Sequence, residues 1–287
     1  MVYVMKKEEK VLDIVILSGQ SNAVGYSQWD EGETRYEDVK MFHFGEGVVA
    51  EMSTDTDNLA NVQWGVLRNG LGKNSMTFGL EMGIGQVFSE RYKTKENDFS
   101  IIKYAWGGKA LWDYWLSPTS VKQHLGAWSK AEEYTEEDGG IMKCGKGFRL
   151  IIETVRDGIK KALKQGYGKI NIIGMCWMQG ETDMKVVGSS MVYDKLLKNF
   201  ISDIREIFAV DNLPVAIGQA KLGAATNPTY PDKINNFQKK VCDEDGYAVL
   251  VPTDDLEMQP ADQAHYTTQS MKTLGLRFGT ALAGLLR

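Results

Sequence analysis

Apolar and polar positions alternate along this chain at two periods, and the alternation predicts its elements. Val11–Leu17 is almost continuously apolar and rich in β-branched residues. That is the pattern of a strand buried on both faces of a parallel sheet. Ser18 and Gly19 end it. Val39–Phe44 is a short candidate strand, and residues 45–75, rich in Gly, Asn, Asp and Ser, read as a long loop. Loops of that length are functional or have some structure of their own. Helical spacing runs through Phe78, Met82, Ile84, Val87 and Phe88 and predicts a helix over Phe78–Tyr92. Phe99–Tyr104 is a second buried strand, ending in Ala105-Trp106-Gly107-Gly108.

Residues 109–147 break the rhythm with Trp112, Tyr114, Trp115 and Trp128, then the acidic run Glu132–Asp138 and Gly139-Gly140. They read as an excursion over one end of the sheet. A helix over Phe148–Gln165 is closed by Gly166, where a C-terminal cap favours glycine. Ile170–Trp177 is a third strand, and Ser190–Phe208 an amphipathic helix with Leu196, Leu197, Phe200, Ile204 and Ile207 on one side. Pro214–Gln219, a helix near Asp232–Asp243, the strand Tyr247–Val251, a polar loop and a last helix Thr267–Leu286 complete the chain. No internal repeat or low-complexity linker interrupts this order. Five strands separated by helices predict one doubly wound α/β domain over 11–287, with a mostly parallel sheet, behind an N-terminal extension at 1–10.

Composition narrows the function. With 287 residues, 43% of them hydrophobic and 25% charged, the chain has the make-up of a globular protein. Its net charge of −5 argues against nucleic acid or an anionic membrane as the main partner. The three cysteines, Cys144, Cys176 and Cys242, are odd in number and far apart, so they form neither a disulfide framework nor a metal-ligand spacing. Cys176 lies in an apolar run and reads as a packed thiol. The first ten residues lack the apolar core of a signal peptide, and no run is long enough to span a bilayer. The expectation is a cytosolic protein or the mature form of an exported one.

Open α/β sheets carry their chemistry at the carboxyl ends of the strands. Four polar loops fall there: Ser21 after the first strand, Gly107-Gly108 after the second, Gln179-Gly180-Glu181 after the third, and Asp262 with His265 after the fifth. A serine hydrolase needs a nucleophile, a base, a group that orients the base, and donors for the oxyanion. Ser21 would also serve as a helix-capping serine. His265 is the only plausible base, since His43 lies in an early strand and His124 in the excursion. Asp262 precedes it by three residues, so one turn of chain brings the carboxylate to Nδ1 and leaves Nε2 for Ser21. Gly107-Gly108 is either a turn needing positive φ or an exposed N–H aimed at an oxyanion. The Gln179 amide offers a further donor, and Glu181 is expected to accept hydrogen bonds from backbone or from Asn22. Glu181 and Asp183 as a paired-carboxylate glycosidase site would leave Ser21 and His265 unexplained. A phosphate cradle at Ser18–Ser21 lacks either glycine-rich phosphate pattern.

Gly19-Gln20-Ser21-Asn22, Trp106-Gly107-Gly108-Lys109, Trp177-Met178-Gln179-Gly180-Glu181-Thr182-Asp183 and Asp262-Gln263-Ala264-His265 resemble the successive blocks of the SGNH hydrolase superfamily. More narrowly they resemble its carbohydrate-esterase branch, family six, with its sialate O-acetylesterase-like and acetylxylan esterase-like proteins. Thr77-Phe78-Gly79-Leu80-Glu81 is similar to a segment that branch places before its second core strand. The resemblance runs in order from about residue 11 to the final helix. It implies a three-layer α/β/α sandwich, flavodoxin-like, with a five-stranded sheet, and ester hydrolysis with neither metal nor cofactor. It casts Ser21 as nucleophile, His265 as base and Asp262 as its orienting acid. The N–H groups of Ser21 and Gly108 and the side chain of Gln179 become the oxyanion hole, with Asn22, Gly107 and Glu181 in support. The implied partner is an acetyl ester of a small molecule or oligosaccharide. Gln179 stands where the superfamily commonly has asparagine, and Ala23-Val24 where the branch often has Met-Ala. Lys109 and the aromatic run Leu111–Trp115 bear on the substrate rather than the reaction. Trp106, Trp112 and Trp115 offer flat faces to sugar rings, or packing. A carbohydrate-binding protein without turnover, or an esterase for a non-carbohydrate ester, are the alternatives.

Overall fold

The structure is a computed structural model and describes residues 9–29, 32, 34–46, 59, 62–135 and 140–286. In chain order the elements are β1 (Val11–Gly19), α1 (Ser21–Val24), β2 (Ser27–Gln28), β3 (Arg35–Gly45), β4 (Gly65–Arg68), β5 (Thr77–Phe78), α2 (Glu81–Tyr92), β6 (Asp98–Ala105) and α3 (Pro118–Lys122). Then follow β7 (Glu132–Thr135), β8 (Ile141–Cys144), α4 (Lys146–Lys164), β9 (Lys169–Met178), α5 (Ser189–Ile207), β10 (Val215–Gly218), α6 (Pro231–Glu244), β11 (Ala248–Val251) and α7 (Thr268–Leu285).

The main sheet has the order β11-β10-β9-β1-β6-β3-β4. Its pairings are parallel except that of β3 with β4. Among the described residues it therefore has seven strands, not five. The Val39–Phe44 pattern is a full sheet member between β6 and β4, and β4 emerges from the stretch expected to be loop. Four residues with two exposed positions are too short to show a period, and pairing to β3 is what makes them a strand. Thr77–Phe78 likewise pairs with β2 instead of opening a helix, so α2 begins only at Glu81. The expected extension at 1–10 lies outside the described residues except for Glu9 and Lys10, as do four positions, 136–139, at the end of the acidic run. The excursion at 109–147 is partly ordered, holding α3 and the β7–β8 hairpin.

β1 sits at the centre and shows why its sequence is apolar throughout. Leu12, Ile14 and Ile16 enter a core shared with α4 and α5, through residues such as Phe148, Ile152, Leu197 and Phe200. Val15 and Leu17 enter a second core with Ile84 and Phe88 of α2 and Leu274 and Phe278 of α7. Successive side chains of a strand point to opposite faces, so a strand covered by helices on both sides has no polar face. Trp115 and Trp177 meet edge to face at 5.5 Å in the first of these cores, both with no exposure.

Lys103 of β6 is the exception in this apolar interior. Its ammonium is fully buried and donates to Glu81 Oε2 (2.8 Å), to the Val24 carbonyl (2.6 Å) and to the Leu71 carbonyl (3.0 Å). Three acceptors match its three protons. Burial presses its pKa below the usual lysine value, while the Glu81 carboxylate works to keep it charged. Removing one partner of such a pair strands the other, whereas replacing both is tolerated far better. We expect Lys103→Met to cost about 3–5 kcal/mol in urea unfolding. The double change Lys103→Met with Glu81→Leu should cost less than the single one. A double variant less stable than Lys103→Met would show that the charges stabilise the fold outright.

Candidate active site

The register of the sheet brings the candidate loops together. Gly19 at the end of β1 lies opposite Ala105 of β6 on one side and Met178 of β9 on the other, and Gly45 of β3 lies opposite Ala105. Residues 20–21, 106–108, 179–181 and 46 therefore leave four adjacent strand ends at one level. Gly19 makes this possible: its φ is +141°, and a Cβ there would lie 1.9 Å from the Met178 carbonyl oxygen. The Gln20 N–H donates to that same carbonyl at 2.9 Å, and the Trp106 N–H donates to the Gly19 carbonyl at 3.1 Å.

Ser21 opens the single turn α1 and is 8% exposed. Its Oγ has no protein hydrogen bond among the described residues. Gly107 approaches it closely, since a Cβ built on Gly107 would lie 3.4 Å from Ser21 Cβ. Gly108 takes φ +65° and faces open space. Among the described residues neither the Ser21 N–H nor the Gly108 N–H meets a protein acceptor, whereas the Gly107 N–H donates to Glu46 Oε2 at 2.6 Å.

His265 arrives from β11 by a long return loop. Asn22 Nδ2 donates to the Ala264 carbonyl (3.1 Å), Ser27 Oγ to the Tyr266 carbonyl (2.8 Å), and Gln259 Nε2 to the Tyr26 carbonyl (3.3 Å). The His265 ring stacks on Tyr26, with centroids 4.2 Å apart and planes 11° apart. Asp262 Oδ2 lies 2.6 Å from His265 Nδ1, and its Oδ1 accepts the N–H groups of Ala264 (2.9 Å) and His265 (3.1 Å). Partial burial works to raise the Asp262 pKa, but these donors outweigh it and hold the carboxyl below its usual value. An ionised Asp262 keeps the proton on Nδ1 and leaves Nε2 as an acceptor. No Ser21–His265 hydrogen bond forms in this arrangement; such contacts often tighten only with substrate bound.

The Gln179 amide is placed differently from the expectation. It is fully buried, and its Nε2 donates to Asp183 Oδ2 and to the Lys109 carbonyl (3.1 Å), with Gln20 Oε1 at 3.4 Å. Both of its N–H bonds have protein acceptors, so it holds the 107–109 turn in place and offers no free donor to an oxyanion. Its Oε1 accepts from the Tyr193 hydroxyl at 3.1 Å. Asp183, which also takes the N–H groups of Leu111 (2.8 Å) and Trp112 (3.2 Å), is what orients it. Of the two readings for the tryptophans, Trp115 takes packing: it is core, with Nε1 donating to the Lys109 carbonyl at 3.2 Å, and presents no face to a ligand. Trp106 and Trp112 are half-buried.

Glu181 Oε1 accepts from Asn22 Nδ2 at 2.8 Å, and its Oε2 is buried with no partner among the described residues. Burial pushes the Glu181 pKa up to about 7, against the pull of Asn22, and pushes Asp183 up to about 6. Both carboxyls are buried away from the open site, which leaves no open pair for glycoside chemistry. Two residues escaped the sequence reading. Glu46 and Tyr26 share a hydrogen bond of 2.5 Å between Oε1 and the phenol. The signal for Glu46 was its place just past the Val39–Phe44 strand, which parallel pairing sets beside Gly107.

A family model for carbohydrate esterase, sialic acid-specific acetylesterase, matches residues 11–284. The chain belongs to this family. The four loops above are thus the strand ends of an acetylesterase-family fold. Solved structures show the same fold at low identity. A protein from Arabidopsis thaliana is 17% identical, with 96% of this chain and 99% of that one covered, at a TM-score of 0.68. NanS is 13% identical, with 97% and 98% covered, at 0.61. A carbohydrate acetylesterase from Xanthomonas citri is 16% identical at 0.58, with 96% of this chain but 56% of that one covered. No curated protein matches the sequence. Among the described residues no group of His, Cys, Asp and Glu side chains is arranged to hold a metal ion, and no helix is long and apolar enough to cross a membrane.

The buried Glu181 gives this family member a pH signature. A carboxyl whose folded pKa is raised, here from 4.5 to about 7, stabilises the fold fully below the lower value and loses that contribution as pH rises through the upper one. Relative to Glu181→Gln, the wild type should therefore lose roughly 3 kcal/mol between about pH 4 and pH 8 in urea unfolding. A difference that stays constant with pH would mean that Glu181 does not change its ionisation in that window.

Proposed function

We propose that this chain is a serine esterase that removes O-acetyl groups from a carbohydrate through an acyl-enzyme. The observation that carries the reading is the Asp262–His265 hydrogen bond on a loop that Asn22, the chain neighbour of Ser21, binds at the Ala264 carbonyl, beside the meeting point of the strand ends. Ser21 Oγ attacks the ester carbonyl while His265 Nε2 takes its proton. Asp262 keeps the imidazole in the required tautomer and stabilises the imidazolium. The N–H groups of Ser21 and Gly108 receive the oxyanion, both being free of protein acceptors among the described residues; Gln179 contributes by fixing the turn that carries Gly108. The sugar alcohol leaves with the proton from His265, and water repeats the sequence on the acyl-enzyme. The acetyl group follows from the family and from the carbohydrate acetylesterase of Xanthomonas citri that shares the fold. Trp106 and Trp112, beside the Gly107–Lys109 turn, are the faces available to a sugar ring.

The same fold retained for binding without turnover is the competing reading, and a substrate-independent experiment separates the two. Intact mass after treatment with a fluorophosphonate should show one adduct that is absent in Ser21→Ala. Acetate release from acetylated sugars should fall by several orders of magnitude in Ser21→Ala and in His265→Ala, and the double variant should be scarcely worse, because the pair acts as a unit. An unlabelled wild type that releases no acetate would overturn the esterase reading in favour of binding. Better turnover of long-chain than of acetyl esters would overturn the acyl assignment alone.

A further inference from the structure

The return loop that carries His265, bound by Asn22 and Ser27, does not end on a bare histidine. One face of the imidazole is covered by Tyr26, nearly parallel at 4.2 Å. The Tyr26 hydroxyl donates to Glu46 Oε1 at 2.5 Å, and the other oxygen of Glu46 accepts the Gly107 N–H at 2.6 Å. One carboxylate at the end of β3 thus holds both the ring under the histidine and the turn next to Gly108. We propose that Tyr26 and Glu46 are positioning residues for the reaction, the Tyr26 ring stabilising the imidazolium that forms as Ser21 loses its proton, and Glu46 holding that ring and the oxyanion turn in one fixed relation. The inference rests on the reading of His265 as the base.

A cation over an aromatic face is attracted by the ring quadrupole, more so where water is excluded. Stacking at 4.2 Å with the planes aligned puts the charge of an imidazolium directly over that face. A phenol donating to a carboxylate is more electron-rich than a free one, which strengthens the attraction. Burial, and after it the Glu46 hydrogen bond and charge, raise the Tyr26 pKa far above its usual value, so the phenol stays a donor at every working pH.

The charged and titratable groups around the imidazole act in known directions. Asp262 sits 2.6 Å from Nδ1 and favours the cation. Glu46 is bonded to the Tyr26 hydroxyl and does the same. Lys73, with Nζ 4.4 Å from the Tyr26 ring centroid, opposes it. Glu181 is reached only through Asn22, which bonds to the Ala264 carbonyl, and adds negative charge as it ionises. Tyr26 is the one of these that touches the imidazole face, so its removal isolates the stack.

The test uses the full chain in wild type, Tyr26→Leu, Tyr26→Phe and Glu46→Gln. The pH dependence of kcat/KM for an acetyl ester is read beside an NMR titration of the His265 ring protons, assigned against His43 and His124. In Tyr26→Leu the acid limb of the rate profile and the NMR midpoint should both fall by about 0.5–1 pH unit, because the imidazolium has lost its stabilising face. The His265 ring protons should also move downfield as the ring-current shielding is lost. Tyr26→Phe and Glu46→Gln keep the ring and should give smaller falls of the same sign; they decide the question by the same two readouts should Tyr26→Leu not fold. A lower kcat with the His265 titration unchanged in all three would overturn the proposal and leave Tyr26 as packing. The titration needs no substrate. A wild type that hydrolyses no ester would therefore remove the esterase reading, while the NMR midpoint still decided whether Tyr26 stabilises the imidazolium.

Discussion

The structure depends on how tightly β1 is held between β6 and β9. Gly19 is the point of closest approach: with no Cβ it lets the Met178 carbonyl come in, take the Gln20 N–H, and set the strand ends level. Everything at the site is placed from that line. Ser21 stands two residues beyond Gly19, Gly107 two beyond Ala105, and Gln179 directly after Met178, each spacing set by backbone pairing rather than by flexible loops. A side chain at Gly19 would push β1 away from β9 and move the serine relative to the Gly107–Gly108 turn.

Below that line the interior ties several of its polar groups together. Lys103 meets three acceptors, Asp183 gathers four donors from Leu111, Trp112, Gln179 and Ser189, and Asn22 joins Glu181 to the Ala264 carbonyl. In a low-dielectric interior such sets are strong when complete and costly when broken, which makes them good at fixing one geometry. They hold the loops that carry Ser21, Gly108 and His265 without using the groups that face the open site. Among the described residues the Ser21 hydroxyl and the N–H groups of Ser21 and Gly108 have no protein partner.

The surface beside the Gly107–Lys109 turn is built from other material. The excursion supplies Trp112 and leads from the Gly107–Lys109 turn, and its deeper tryptophan, Trp115, is drawn into the core by Tyr104 and Trp177. Which tryptophans in that run stay half-buried and which fill the interior follows from the path of the excursion across the sheet, not from their spacing.

The amino-acid sequence by itself determined the strands β1, β3, β6, β9, β10 and β11, the long helices, the α/β class, and the four polar loops at strand ends, because burial on one or both faces is written directly into residue period. It also determined the Asp262–His265 contact, which needs only one turn of chain. The tertiary structure alone decided what lies beside what. It set β4 against β3, turned the Gln179 amide inward to Asp183, buried Trp115, placed Tyr26 on the His265 ring and bridged it through Glu46 to Gly107. Each of these depends on the direction of a hydrogen bond or the neighbour of a strand, and residue period carries no record of either, since partners as far apart as Tyr26 and His265 meet only when the sheet has been assembled.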